Sequence, residues 1–122
     1  MPGSSAYLLC DDLLWTSRIG GTARPLGLKV KNARGLEQLE QLCREEAPRC
    51  VIIDLGLQAL PVADVVNRVQ AVCSERPRFV AFGSHVDVAA LKAARDAGCD
   101  PVLPRSKLAE ALPELLKSWM AE

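Results

Sequence analysis

A doubly wound α/β domain is the fold this sequence predicts: five parallel strands in the order 2-1-3-4-5, with helices on both faces of the sheet. Three observations carry that prediction. Short apolar runs alternate strictly with stretches of helical periodicity, and such alternation demands crossover connections and hence parallel strands. The run Cys50-Val51-Ile52-Ile53 is short, apolar and rich in β-branched residues, as a strand buried on both faces must be. It ends abruptly in Asp54, and a similar run, Ala6-Tyr7-Leu8-Leu9-Cys10, leads into Asp11-Asp12. Ligands gather at the carboxyl ends of strands in sheets of this kind, so three carboxylates are expected at one crevice.

The elements follow in order. After the strand at 6–10, a helix is expected from Leu13 to Arg24, stopped by Pro25 and Gly27. Gly20-Gly21 lies inside it at a cost of roughly 1 kcal/mol per glycine relative to alanine. Leu28-Lys29-Val30-Lys31 alternates as a short strand. Leu36, Leu39 and Leu42-Cys43 mark one helical face, closed by Pro48. The strand at 50–54 precedes a helix whose apolar face is Val62, Val65-Val66, Val69 and Val72-Cys73. Phe79-Val80-Ala81-Phe82 is a further buried strand ending at Gly83-Ser84. A small-residue helix covers Val86 to Ala97, with Gly98 as its stop, and Pro101-Val102-Leu103 is a brief last strand. The final helix shows Leu108, Leu112, Leu115-Leu116 and Trp119 on one side. Pro113 fits its first turn, after a short lead-in from Ser106. The count is five strands and five helices.

Composition sets the bounds. At 122 residues the chain is expected to form one domain, 1–122, large enough for a core of its own. Hydrophobic residues make up 49% and charged residues 25%, as in ordinary globular proteins. Lys+Arg and Asp+Glu balance at 15 each, which removes any global field favouring nucleic acid or an anionic membrane. Five cysteines, at 10, 43, 50, 73 and 99, form no Cys-x-x-Cys pair, and the one histidine, His85, has no ligand spacing to them. They read as reduced, buried thiols of a cytoplasmic protein. The start, Met-Pro-Gly-Ser-Ser, lacks the pattern of a signal peptide, and no apolar run approaches membrane-spanning length.

Carboxylates packed together repel unless a cation compensates. Mg²⁺ suits such hard oxygen ligands, with Asp11, Asp12 and Asp54 as the metal set. Arg105, after the last strand, is the alternative compensating charge. These residues resemble the receiver domains of two-component response regulators, over nearly the whole chain from Ala6 to Trp119. Leu-Cys-Asp-Asp looks like the family's acidic, Mg²⁺-holding pair, and Ile-Ile-Asp at 52–54 like its phosphoacceptor strand, with Asp54 as phosphoacceptor. The ending Asp-Ala-Gly-Cys at 96–99 is similar to that of the family's fourth helix.

Several positions depart from the pattern the resemblance implies. The hydroxyl residue expected after the fourth strand falls on Gly83, with Ser84 one residue late. The Lys-Pro pair after the fifth strand reads Arg105-Ser106, with Pro104 on the other side. Val102 replaces the switch aromatic, and Leu-Gly-Leu-Gln-Ala-Leu-Pro at 55–61 replaces a Met-Pro turn. Gly83, Ser84 and Arg105 are therefore the candidate phosphate and switch contacts in a site whose acidic half is intact and whose readout half is altered. Arg105 either meets a phosphoryl oxygen or pairs permanently with Asp54 or Asp12, since guanidinium is planar and always charged. One of Asp11 and Asp12 can instead cap the next helix, and Ser84 can cap the fourth; His85 is expected to face solvent.

Two functional classes follow. One is a stand-alone receiver that passes a signal by reversible phosphorylation of Asp54 and has no output domain of its own. The other is a pseudo-receiver that binds partners without phosphotransfer. The partners implied are a sensor kinase or a downstream signalling protein. Self-association is expected through the face of the fourth helix, fifth strand and last helix, near Lys92, Arg95, Lys107 and Trp119. No direct nucleic-acid or membrane contact is expected. No nucleophile–base pair or cofactor motif suggests an enzyme.

Overall fold

The computed structural model describes residues 5–57 and 61–121. The opening Met-Pro-Gly-Ser stretch, and Gln58-Ala59-Leu60 of the segment after Asp54, lie outside the described residues. Five strands form one parallel sheet: β1 (Ser5–Leu9), β2 (Lys29–Ala33), β3 (Cys50–Asp54), β4 (Arg78–Gly83) and β5 (Val102–Pro104). Their order is β2-β1-β3-β4-β5, as the alternation predicts. β1 and β3 are buried along their whole length, whereas β2, at the edge, alternates between exposed and half-buried residues from Lys29 to Asn32 before ending in buried Ala33. That is the difference between a strand covered on both faces and one that meets water.

Among the described residues six α-helices cover the sheet: α1 (Leu13–Ala23), α2 (Leu36–Glu45), α3 (Val62–Val72), α4 (Val88–Asp96), α5 (Arg105–Glu110) and α6 (Leu112–Trp119). Successive residues of a strand point to opposite faces, so the core divides in two. Tyr7, Leu9, Val51, Ile53, Phe79 and Ala81 pack under α2, α3 and α4. Ala6, Leu8, Ile52, Val80 and Phe82 pack under α1, α5 and α6. Tyr7 shows how a polar atom is accommodated in such a layer: its hydroxyl donates to the carbonyls of Leu42 (3.1 Å) and Glu46 (2.6 Å) at the end of α2.

Three differences from the predicted elements have plain causes. The last helix is two, because Pro113 has no N–H to donate and its ring crowds the preceding turn; the break falls at Ala111 (φ −130°, ψ 28°) and Pro113 enters the first turn of α6. α1 keeps Gly20-Gly21 in an unbroken helix and closes through a 3-10 turn, Arg24–Leu26, whose end at Gly27 has φ 73°. α4 begins at Val88 rather than Val86, because the Asp87 carboxylate accepts from the Ala90 N–H and fixes the start there. Gly98, at φ 99°, ends α4 as predicted. Trp119 is buried, packed with Leu108, Leu112 and Leu116, and takes no part in the surface expected for self-association.

All five cysteines are free thiols, four buried and Cys73 half-buried. Burial pushes Cys43 and Cys50 up to about 12 and Cys99 up to about 11, so they stay protonated at neutral pH. Among the described residues no helix is long and apolar enough to cross a membrane.

Candidate functional site

Asp54 ends β3 and is only 3% exposed, yet both of its oxygens are satisfied. Oδ1 accepts from the Gly56 N–H at 2.8 Å and from Arg105 Nη2 at 3.4 Å. Oδ2 accepts from the Cys10 thiol at 3.3 Å. The register explains the last contact. β1 pairs Leu9 with Ile53, so the next residue, Cys10, comes level with Asp54. Burial first, and the Asp54 carboxylate with it, push the Cys10 thiol up to about 11, which keeps it a donor.

The acidic pair expected in that position lies one and two residues further on. Asp11 is exposed and makes no hydrogen bond or ion pair with the described residues. Asp12 caps α1, its Oδ1 accepting from the Leu14 N–H at 2.9 Å. Among the described residues no three His, Cys, Asp or Glu side chains are gathered so as to hold a metal. The predicted set of Asp11, Asp12 and Asp54 is thus not drawn together. Asp54 Oδ1 is engaged by Gly56 and Arg105 and Asp12 Oδ1 by the cap of α1, so a hard cation there would compete with these contacts or use the other carboxylate oxygens.

Arg105 opens α5 directly after β5, and its side chain is 32% exposed. Gly56 makes its approach possible. A Cβ at Gly56 would lie 2.6 Å from Arg105 Nη2 and 3.1 Å from Asp54 Oδ1. This glycine is a site residue that sequence reasoning missed; a glycine two residues after the strand-end carboxylate is the only signal for it. Gly83 is buried, and a Cβ there would meet Leu55 Cβ at 3.1 Å, so Leu55 covers the position where a hydroxyl was expected. Ser84 does not cap α4. Its Oγ accepts from the Val86 N–H at 3.4 Å, within a turn closed by the Asp87 N–H on the Ser84 carbonyl at 3.1 Å. His85 is exposed, as expected.

Around this mouth stand Leu13 and Leu14, following β1, and Val86 and Val88, following β4. They are 68–74% exposed and are the exposed large hydrophobic residues of the described chain. β1 and β4 flank β3, so both pairs follow strands that neighbour the one ending in Asp54.

No family model matches the sequence, and no curated protein matches it. Solved structures do. The chain is similar to the receiver domain of the sensor histidine kinase PA1611 from Pseudomonas aeruginosa, a structure described with magnesium coordinated in its active site cleft. The TM-score is 0.80 at 17% identity, over 98% of this chain and 99% of that one. A response regulator from Thermotoga maritima gives 0.80 at 13% identity, over 97% and 98%. A chain of the Saccharomyces cerevisiae complex between the phosphotransfer protein Ypd1 and the receiver domain of Ssk1 gives 0.78 at 16% identity, over 97% and 89%. The fold is that of response regulator receiver domains.

Proposed function

We propose that this chain is a receiver-type signalling module that acts by binding protein partners at the carboxyl end of its sheet, with Asp54 held by Arg105 rather than phosphorylated. The observation that carries this reading is that the exposed large hydrophobic residues, Leu13, Leu14, Val86 and Val88, all follow the carboxyl ends of β1 and β4, the strands on either side of the one that ends in Asp54. Exposed apolar side chains gathered at one place mark contact surfaces more often than chance exposure does. The interior of the rim points the same way. A guanidinium, a thiol and a backbone amide already engage the carboxylate, and Leu55 fills the space beside Gly83. A switch needs contacts that differ between two states, and the side chains that would report a phosphoryl group are the ones replaced.

In this reading residues 1–122 work as one unit in the cytoplasm, where reduced thiols persist, and do not turn over a substrate. The partner is a sensor kinase or a downstream signalling protein. Self-association through α4, β5 and the last helical segment would rest on Lys92 and Arg95 of α4 and Lys107 of α5, since Trp119 of α6 is buried. Intact mass after incubation with acetyl phosphate and Mg²⁺, beside an Asp54→Asn control, tests the locked site. No adduct is expected on the folded protein. A single phosphoryl adduct absent from the control would make Asp54 a working phosphoacceptor and Mg²⁺ its cofactor.

A further inference from the structure

Between Asp12 and Glu37 the chain contains no carboxylate, and it carries Arg18, Arg24, Lys29, Lys31 and Arg34. All five cations are exposed, and none enters an ion pair among the described residues. The chain as a whole is neutral, so this is a local excess, concentrated on α1 and β2. β2 is also an edge strand, hydrogen-bonded to β1 on one side and to no strand among the described residues on the other.

The two faces of this edge differ. Lys29 and Lys31 point away from α1. Val30 and Asn32 point toward it, with Leu8 and Thr16, beside a groove that runs along α1 past Gly20 and Arg24. A Cβ at Gly20 or Gly21 would meet nothing within 4 Å, so the glycines leave that groove open. Lysine on an edge strand commonly serves only to prevent strand pairing. Here it does so selectively. Like charges opposite one another repel a second copy of β2, whereas opposite charges across strands attract.

We propose that β2 is a docking edge for an extended acidic segment of a partner protein, added as a sixth strand, in which Asp or Glu opposite Lys29 and Lys31 alternates with small apolar residues over the glycine groove. The unpaired edge supplies main-chain hydrogen bonds, the lysines supply the sign of charge, and the groove supplies the alternation. A nucleic acid would use the cations but leave the edge amides idle. It would also find no exposed aromatic ring for stacking, because Trp15 is buried beneath Arg18.

The test uses the whole chain and a fluorescein-labelled, end-blocked peptide of three Glu-Val repeats, read by anisotropy. Two further peptides carry N-methyl groups on one or the other alternate set of backbone amides. Binding that weakens as salt rises, and that one of the two N-methyl sets weakens about tenfold, is expected. Lys29→Glu with Lys31→Glu should weaken it about tenfold as well; if circular dichroism shows that pair unfolded, Lys29→Gln with Lys31→Gln should still weaken it. Equal affinity for both N-methylated peptides would overturn the proposal, as would tighter binding of oligo-dT or phosphatidylserine vesicles. So would a dimer by light scattering that charge reversal abolishes, since that would make β2 an interface between copies.

Discussion

The mouth of the sheet and its β2 edge handle charge in opposite ways. At the mouth, one carboxylate with almost no exposure takes a guanidinium, a thiol and an amide as partners. From Arg18 to Arg34, five exposed cations enter no ion pair among the described residues. Burial makes the difference. An ion removed from water must be compensated by nearby groups, whereas a solvated ion gains little from any one neighbour. The mouth therefore satisfies itself from within, and the edge keeps its charge for whatever approaches.

Removing a partner from the buried side should cost most. Arg105→Ala leaves Asp54 without its cation and should lower stability by about 2–3 kcal/mol, less than for a fully buried pair because Arg105 is part-exposed. Urea unfolding followed by tryptophan fluorescence measures it. Adding Asp54→Ala to that variant should recover part of the loss, and strict additivity of the two substitutions would deny that they act as a pair.

A second buried polar group sharpens the same contrast. Tyr7 is the chain's one tyrosine, and burial, aided by Glu46 and Cys43, pushes its hydroxyl up to about 12 from 10.0. Below pH 10 both folded and unfolded chains keep the proton, so Tyr7 contributes no pH dependence there. Between 10 and about 12 the unfolded chain alone releases it, so stability falls as pH rises through that window. Phenolate absorbance of the folded protein should have its midpoint near 12, and a midpoint near 10 would mean that Tyr7 is not shielded.

The edge should barely respond. Lys29→Glu with Lys31→Glu is expected to change stability by no more than about 0.5 kcal/mol, because no partner is lost. A loss of several times that would show the two lysines to be part of the fold and not a reserve of charge.

Much of this arrangement was legible in the residues. The apolar run at 50–53 ending in Asp54, the helix stop at Gly98 and the place of Pro113 follow from local rules of polarity, backbone freedom and ring geometry. The neighbours of Asp54 were less so. Cys10 and not Asp11 faces it, because parallel pairing sets which residue comes level, and a one-residue offset exchanges a carboxylate for a thiol. Gly56 and Leu55 belong to a loop, where no periodicity signals which side chain covers which position.

By itself, then, the sequence determined the alternation of elements, the order of the strands and the end of the sheet at which Asp54 stands. Those depend on hydrophobic periodicity and on connection rules, which are written along the chain. Only the tertiary structure decided that Arg105 reaches Asp54 over Gly56, that Cys10 comes level with Asp54, and that Lys29 and Lys31 stand exposed on an open edge. Each of these is a matter of distance between residues far apart in the chain or of exposure to water, and the order of residues states neither.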